Sequence, residues 1–232
     1  MARLSDQERE ARERLIQSYQ AQANESGDTS GWFEALYSAA TRGETTIPWE
    51  DGTTNPHLLA WLEREAVDGT GRRALEVGTG YGHGAIALAQ RGFEVTAVEL
   101  SSSAVALAKA TNPHERIDYR QQDMLELPDD FVGAFDLVVE IYTLQAIQKD
   151  QREILTSHLP RTVAPGGTLL VVCRARDEEV IPTGPPWALA ESEVRALAYV
   201  GSGLEVVHLE RFLDGESPPK DRFLAVLQKK SS

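Results

Sequence analysis

The sequence predicts an α/β fold: a mostly parallel seven-stranded sheet with helices on both faces and an antiparallel pair at its end. Three observations carry that expectation. From Arg73 onward the strand-like runs ALEVG, EVTAVEL, IDYRQQD, FDLVVE and TLLVVC alternate with helical stretches such as GAIALAQRG and SSAVALAKA, which implies a parallel sheet wrapped by helices. The first strand runs through a glycine-rich turn into a helix, in ALEVGTGYGHGAIALAQRG. The last two runs, LEVVHLERF and RFLAVLQKK, are separated by the turn-rich DGESPPKD, as expected of an antiparallel pair that closes the sheet.

Ahead of this core the chain predicts helices. Ser5 to about Asn24 is dense in Glu, Arg and Gln and reads as a mostly solvated helix, ended by a turn around Glu25 to Asp28. A second helix, about Gly31 to Arg42, places Trp32, Phe33, Leu36 and Tyr37 on a common side. ETTIPWEDGTTNP has the composition of a loop, and PHLLAWLERE then starts a helix with Asn55 as its cap and Pro56 in its first turn. The expected division is a helical cap or lid over residues 1–50 and a core over 51–232. A last helix near Ala190 to Val200 precedes the final two strands.

Composition narrows the function classes. The 232 residues carry a formal net charge of −13, with 41% hydrophobic and 25% charged residues, so an ordinary folded protein is expected. Such acidity argues against gripping nucleic acid or an anionic membrane surface, both of which draw on clustered Lys and Arg. Cys173 is the one cysteine; inside TLLVVC it reads as a small buried hydrophobe rather than a nucleophile. MARLSDQERE lacks the apolar core of a secretory signal and no run is long enough to span a bilayer, so a cytoplasmic protein is expected, without a metal site.

The chemistry concentrates at the strand ends. Gly78, Gly80, Gly82 and Gly84 let a ligand approach the backbone closely. Gly80, Gly82 and Ala85 also satisfy G-x-G-x-x-A, so the loop alone leaves a dinucleotide open. Glu99, about twenty residues on, ends the next strand, where an acid accepts both hydroxyls of a ribose. Asp123, in QQDMLELP, is placed either to take the exocyclic amine of an adenine while Met124 covers the ring, or to serve as a turn or capping residue. Glu140 ends the fourth strand, and VAPGG, from Val163 to Gly167, introduces the fifth.

This ordered set resembles the class I S-adenosylmethionine-dependent methyltransferases, over about Arg73 to Lys229. The resemblance implies a Rossmann-like methyltransferase fold with S-adenosyl-L-methionine as cofactor. It implies Glu76, Gly78 and Gly80 at the methionine part, Glu99 at the ribose, and Asp123 and Met124 at the adenine, with Thr79, Leu100 and Glu140 also binding the cofactor. A narrower resemblance lies outside the core. IPWEDGTTNPHL is similar to the proline-tryptophan loop of the thiopurine and thiol or halide methyltransferases, and TGPPWALAESEV to their stretch after strand five; tellurite-resistance methyltransferases look related in the same places. That likeness implies Trp49 near the cofactor and the N-terminal helices over the active site, with Trp32, Phe33 and Tyr37 lining a lid or anchoring it. EIYTLQAI departs from the thiopurine pattern, having Glu140 followed by Ile141 in place of Asp followed by Arg.

Methyl transfer is an in-line displacement, so orientation and exclusion of water suffice for a nucleophile that carries no proton, and a base is needed only for a hydroxyl or ammonium acceptor. His83 and Tyr142 are the catalytic candidates and Glu140 a further base; Tyr142, Trp49 and Trp187 offer rings to a sulfonium or a planar substrate. Arg174 and Arg176 either pair with an acidic group of the substrate or balance Asp177, Glu178 and Glu179 at the surface. After strand four there is no Asn or Asp followed by Pro-Pro and an aromatic, as nucleic-acid amino-methylating enzymes have. The expectation is methyl transfer to a small molecule of the thiol, halide or thiopurine kind by a monomer or homodimer. The alternatives are an O- or N-methyltransferase of a secondary metabolite, and a protein that binds the cofactor without turning it over.

Overall fold

Strands buried on both faces require helices on both faces, and this chain supplies them. In the computed structural model, which describes residues 14, 17–19, 21 and 31–231, seven strands form one sheet. They are β1 (Arg73–Val77), β2 (Glu94–Glu99), β3 (Ile117–Gln121), β4 (Phe135–Ile141), β5 (Val163–Arg174), β6 (Leu204–Leu213) and β7 (Asp221–Lys229). Their spatial order is β3-β2-β1-β4-β5-β7-β6, and β7 runs antiparallel to both its neighbours while the other pairs are parallel.

Helices α1 (Trp32–Thr41), α2 (Pro56–Arg64), α3 (His83–Gln90), α4 (Ser102–Thr111), α5 (Lys149–Thr162) and α6 (Glu191–Arg195) flank the strands. Residues alternate along each strand between two cores. Leu75, Val77, Val138, Val171 and Cys173 face Leu155 and Leu159 of α5. Ala74, Val95, Val139, Leu170 and Val172 face Leu58, Trp61, Leu88 and Val105 of α2, α3 and α4. Cys173 is fully enclosed, and burial pushes its thiol well above the ordinary range, so it is the packed hydrophobe the sequence implied.

The element boundaries follow local chemistry. Asn55 caps α2, its side-chain oxygen accepting the N–H groups of His57 and Leu58 at 2.9 and 3.4 Å. Two expectations are corrected. The VAPGG segment is the irregular start of β5, where the register to β4 shifts between Phe135 and Leu137. The helix expected near Ala190 to Val200 is the short α6 followed by a 3-10 turn at Ala196–Ala198. Helix α5, which the apolar pattern does not announce, has a polar sequence, KDQREILTSHLPRT. Of the helix expected over Ser5 to about Asn24, Arg14, Gln17, Ser18, Tyr19 and Ala21 are helical and the rest lies outside the described residues.

Helix α1 docks on α4 through Trp32, Leu36 and Tyr37 against Ala104, with Leu107 alongside. One carboxylate pins that contact. Glu34 accepts the hydroxyls of Ser101, Ser102 and Ser103 at 2.7, 3.3 and 2.5 Å and the Ser103 N–H at 3.1 Å, at the positive end of α4. Burial raises its pKa, but the serine bonds outweigh burial and hold the carboxyl below its usual value. Glu34→Ala is expected to cost about 1–2 kcal/mol and to speed limited proteolysis in the loop between α1 and α2 before the sheet unfolds.

Candidate active site

The turn between β1 and α3 is built around two carboxylates. Glu76 accepts the Thr79 hydroxyl and the Ala85 N–H, so its charge lies at the start of α3. Only glycine fits beside it, since a Cβ on Gly84 would lie 1.8 Å from Glu76 Oε1. Glu99, at the end of β2, accepts the Gly80 N–H at 3.1 Å, the Leu100 N–H at 2.8 Å and the Ser101 N–H at 3.4 Å. Burial pushes both carboxyls up, Glu76 to about 7. Gly80 has φ +55°, and a Cβ there would meet just the Tyr37 hydroxyl, at 3.2 Å, so the loop backbone is approachable from that side.

Helix α1 packs against this loop, with Tyr37 beside Gly80 and Tyr81. Trp49 donates its indole N–H to the Tyr37 hydroxyl at 3.1 Å and meets the rings of Trp32, Phe33 and Tyr37 edge-on. Trp32 and Tyr37 are buried anchors, whereas Trp49 is 40% exposed. His83 opens α3, but its Nε2 lies 2.8 Å from Glu50 Oε1 and its Nδ1 3.4 Å from the Asn112 amide. Both ring nitrogens therefore face protein groups.

Across the sheet edge, Asp123 follows β3, half-buried, with Oδ1 accepting the Leu125 N–H at 2.8 Å; the turn role is observed and the other carboxylate oxygen is not committed to it. Met124 is buried in the core beneath. Glu140, expected beside the cofactor, is 0% exposed: Oε1 accepts the Thr143 and Leu144 N–H groups at 2.7 and 2.9 Å, while Oε2 is buried without a partner among the described residues. Burial pushes it up to about 7. The turn it holds puts Tyr142 at φ +67°, an uncommon conformation for a residue with a side chain. The Thr143 hydroxyl then bonds the Val77 carbonyl at 3.1 Å, beside Gly78.

Tyr142 lies under the Arg222 guanidinium, 4.5 Å from its ring centroid, and is hydrogen-bonded by the Asn55 side chain. Burial keeps its phenol above the ordinary range, so it stands as a neutral wall and hydrogen-bonding group. Arg222 is 3% exposed and pairs with Asp214 at 2.7 Å and Glu216 at 2.5 Å. Sequence reasoning did not single out Arg222 or Asn55 for the site; the signal for the first was a charge heading the apolar run RFLAVL.

Glycine loop, acid-ended β2 and the turn after β4 share the carboxyl edge of the parallel strands, the ligand-binding edge of such sheets. Residues 74–167 match a family model described as a methyltransferase domain. A solved S-adenosylmethionine-dependent methyltransferase from Anabaena variabilis superposes with a TM-score of 0.69 at 16% identity, covering 85% of this chain and 93% of that one. The chain has the class I methyltransferase fold. Ubiquinone biosynthesis O-methyltransferase of Dechloromonas aromatica is 30% identical over 119 residues, 50% of this chain and 50% of that protein. Thiopurine S-methyltransferase of Aliivibrio fischeri is 33% identical over 145 residues, 56% of this chain and 66% of that protein. The chain thus spans about half the length of the first of these curated relatives.

The residues of this methyltransferase fold fit the cofactor that its class implies. The approachable Gly80 backbone faces a buried strand-end carboxylate, Glu99, whose oxygens suit ribose hydroxyls, and Asp123 stands one strand further out. The buried acids also set a pH dependence. Glu76 and Glu140 titrate near 7 when folded against an ordinary 4.5, so the stability tied to their neutral forms is complete below about 4.5 and is lost as pH rises through about 7, at about 3 kcal/mol each. Melting of the cofactor-free protein from pH 5 to 8 should fall accordingly, and Glu140→Gln should remove part of that slope.

Proposed function

We propose that the protein transfers a methyl group from S-adenosylmethionine to a small-molecule acceptor. The observation that carries this reading is the pairing of the Gly80 N–H with the Glu99 carboxylate at the carboxyl edge of β1 and β2. When bound, the cofactor supplies an electrophilic methyl group on a sulfonium. Glu99 would hold the ribose, the loop from Gly78 to Gly80 the methionine part, and Asp123 the adenine. Glu76 acts through the loop as a positioning residue, since its carboxylate is taken up by Thr79 and Ala85. Helix α1 and the segment to Trp49 would close this side of the site, with Tyr37 beside Gly80 and Trp49 bonded to Tyr37.

Among the residues the sequence offered, no basic atom stands ready. His83 is held by Glu50 and Asn112, Glu140 is enclosed, and the Tyr142 phenol is pushed up. The chain therefore works by orienting the acceptor and excluding water, which suits an acceptor that arrives as an anion or with a free lone pair. The sequence pointed to the thiol, halide and thiopurine branch; one thiopurine S-methyltransferase supports it, whereas several ubiquinone biosynthesis O-methyltransferases match. We favour an oxygen acceptor that arrives ionised, or an amine that arrives neutral, with a thiolate as the second reading. Among the described residues no helix is long and apolar enough to cross a membrane, and neither nucleic acid nor a membrane is proposed as a partner.

Calorimetric titration should show binding of S-adenosylmethionine and none of NADH. Glu99→Ala should weaken that binding by about tenfold to a hundredfold, the loss of hydrogen bonds to a charged group. Binding of NADH instead would return the loop to a dinucleotide site. Release of S-adenosylhomocysteine with phenols, amines, thiols or iodide then assigns the acceptor.

A further inference from the structure

The two arginines that follow the core of β5 have different fates. Arg176 is spent: its guanidinium bonds Glu193 at 2.5 Å and the carbonyls of Ala188, Asp177 and Glu178 at 2.9, 3.0 and 3.2 Å. Arg174 is not. It is half-buried at the carboxyl end of β5, and among the described residues no carboxylate lies within 4 Å of its guanidinium. Its neighbour across the strand pair is Arg222, whose charge is met by Asp214 and Glu216. The two arginines and these two acids balance in charge, but both acids are bonded to Arg222, so the Arg174 guanidinium has no carboxylate partner of its own among the described residues. Burial, and then Arg222, hold the Arg174 pKa below its usual range, the condition that an incoming anion relieves.

The backbone around Arg174 is fixed. Gln145, in the turn after β4, accepts the Arg174 N–H on Oε1 at 2.5 Å and the Trp187 N–H on its carbonyl at 2.7 Å. The Leu189 N–H bonds the Arg174 carbonyl at 2.9 Å. Thus one glutamine ties the turn carrying Tyr142, the end of β5 and the Trp187 loop together, and a supported side chain is what a specificity contact requires. Tyr142 is also within electrostatic reach of Arg174.

We propose that Arg174 is the acceptor-recognition residue and that the acceptor carries a carboxylate, bound by this guanidinium, whose strand partner Arg222 covers the Tyr142 ring. A carboxylate is the class that fits, because one guanidinium stands without a carboxylate partner and its fork matches a carboxylate. This rests on the methyltransferase reading and names the substrate class of that site.

The test uses the protein loaded with S-adenosylhomocysteine, titrated calorimetrically with two matched pairs: 4-hydroxybenzoate against phenol, and 3-mercaptopropionate against 1-propanethiol. In at least one pair the carboxylated member should bind the wild type about tenfold more tightly. Arg174→Ala and Arg174→Gln should reduce that preference below about threefold, with Arg174→Lys keeping part of it, while each variant retains its affinity for S-adenosylhomocysteine, which reports an intact fold. Absence of preference in both pairs, or a preference that survives in Arg174→Ala, overturns the proposal and leaves the methyltransferase reading standing. Failure of the wild type to bind S-adenosylhomocysteine overturns both.

Discussion

Taking a carboxylate out of water is costly unless hydrogen bonds replace its hydration, and this fold does so twice beside its glycine loop. Glu99 gathers the N–H groups of Gly80, Leu100 and Ser101, and Glu76 gathers Thr79 and Ala85. These bonds dictate the path of the chain between β1 and α3 and tie it to the end of β2. The rest is arranged around that constraint. Glycine at position 84 is imposed by the Glu76 carboxylate, Tyr37 closes over Gly80, and Thr143 settles against Gly78. Helix α1, through Glu34, is fastened to the start of α4, just after Glu99.

A third buried acid, Glu140, does the same work one strand over, holding the turn that presents Tyr142. The site therefore shapes itself with acids that are buried supports rather than exposed bases. Such an arrangement suits methyl transfer, in which alignment and dryness lower the barrier and proton removal is optional. The electrostatic character of the acceptor side comes from β5 and β7, where two arginines meet across an antiparallel pair that is absent from a purely parallel sheet.

The alternation of apolar runs with helical stretches made the sheet legible, because strands enclosed on both faces must be apolar almost throughout. The reversal at β7 was legible from DGESPPKD. The acids at the strand ends were legible as positions, but not in their roles: Glu76 and Glu140 turn out to serve backbone N–H groups, which depends on where residues 85 and 143–144 lie in space. His83 carried the same ambiguity, decided by Glu50 and Asn112 from distant segments. Helix α5 escaped notice because KDQREILTSHLPRT buries few side chains on a polar background. Arg174 and Arg176, indistinguishable by composition, were separated by a partner, Glu193, some seventeen residues away.

Cofactor binding is assigned to the loop shaped by Glu76 and Glu99. Hydrogen–deuterium exchange with and without S-adenosylmethionine addresses it residue by residue. Exchange is expected to slow at residues 78–82 and 99–101, and around Tyr37 and Trp49. Protection confined to the groove at the opposite end of the strands, lined by Trp61, Arg64 and Phe93, or no protection at saturating cofactor, would contradict it.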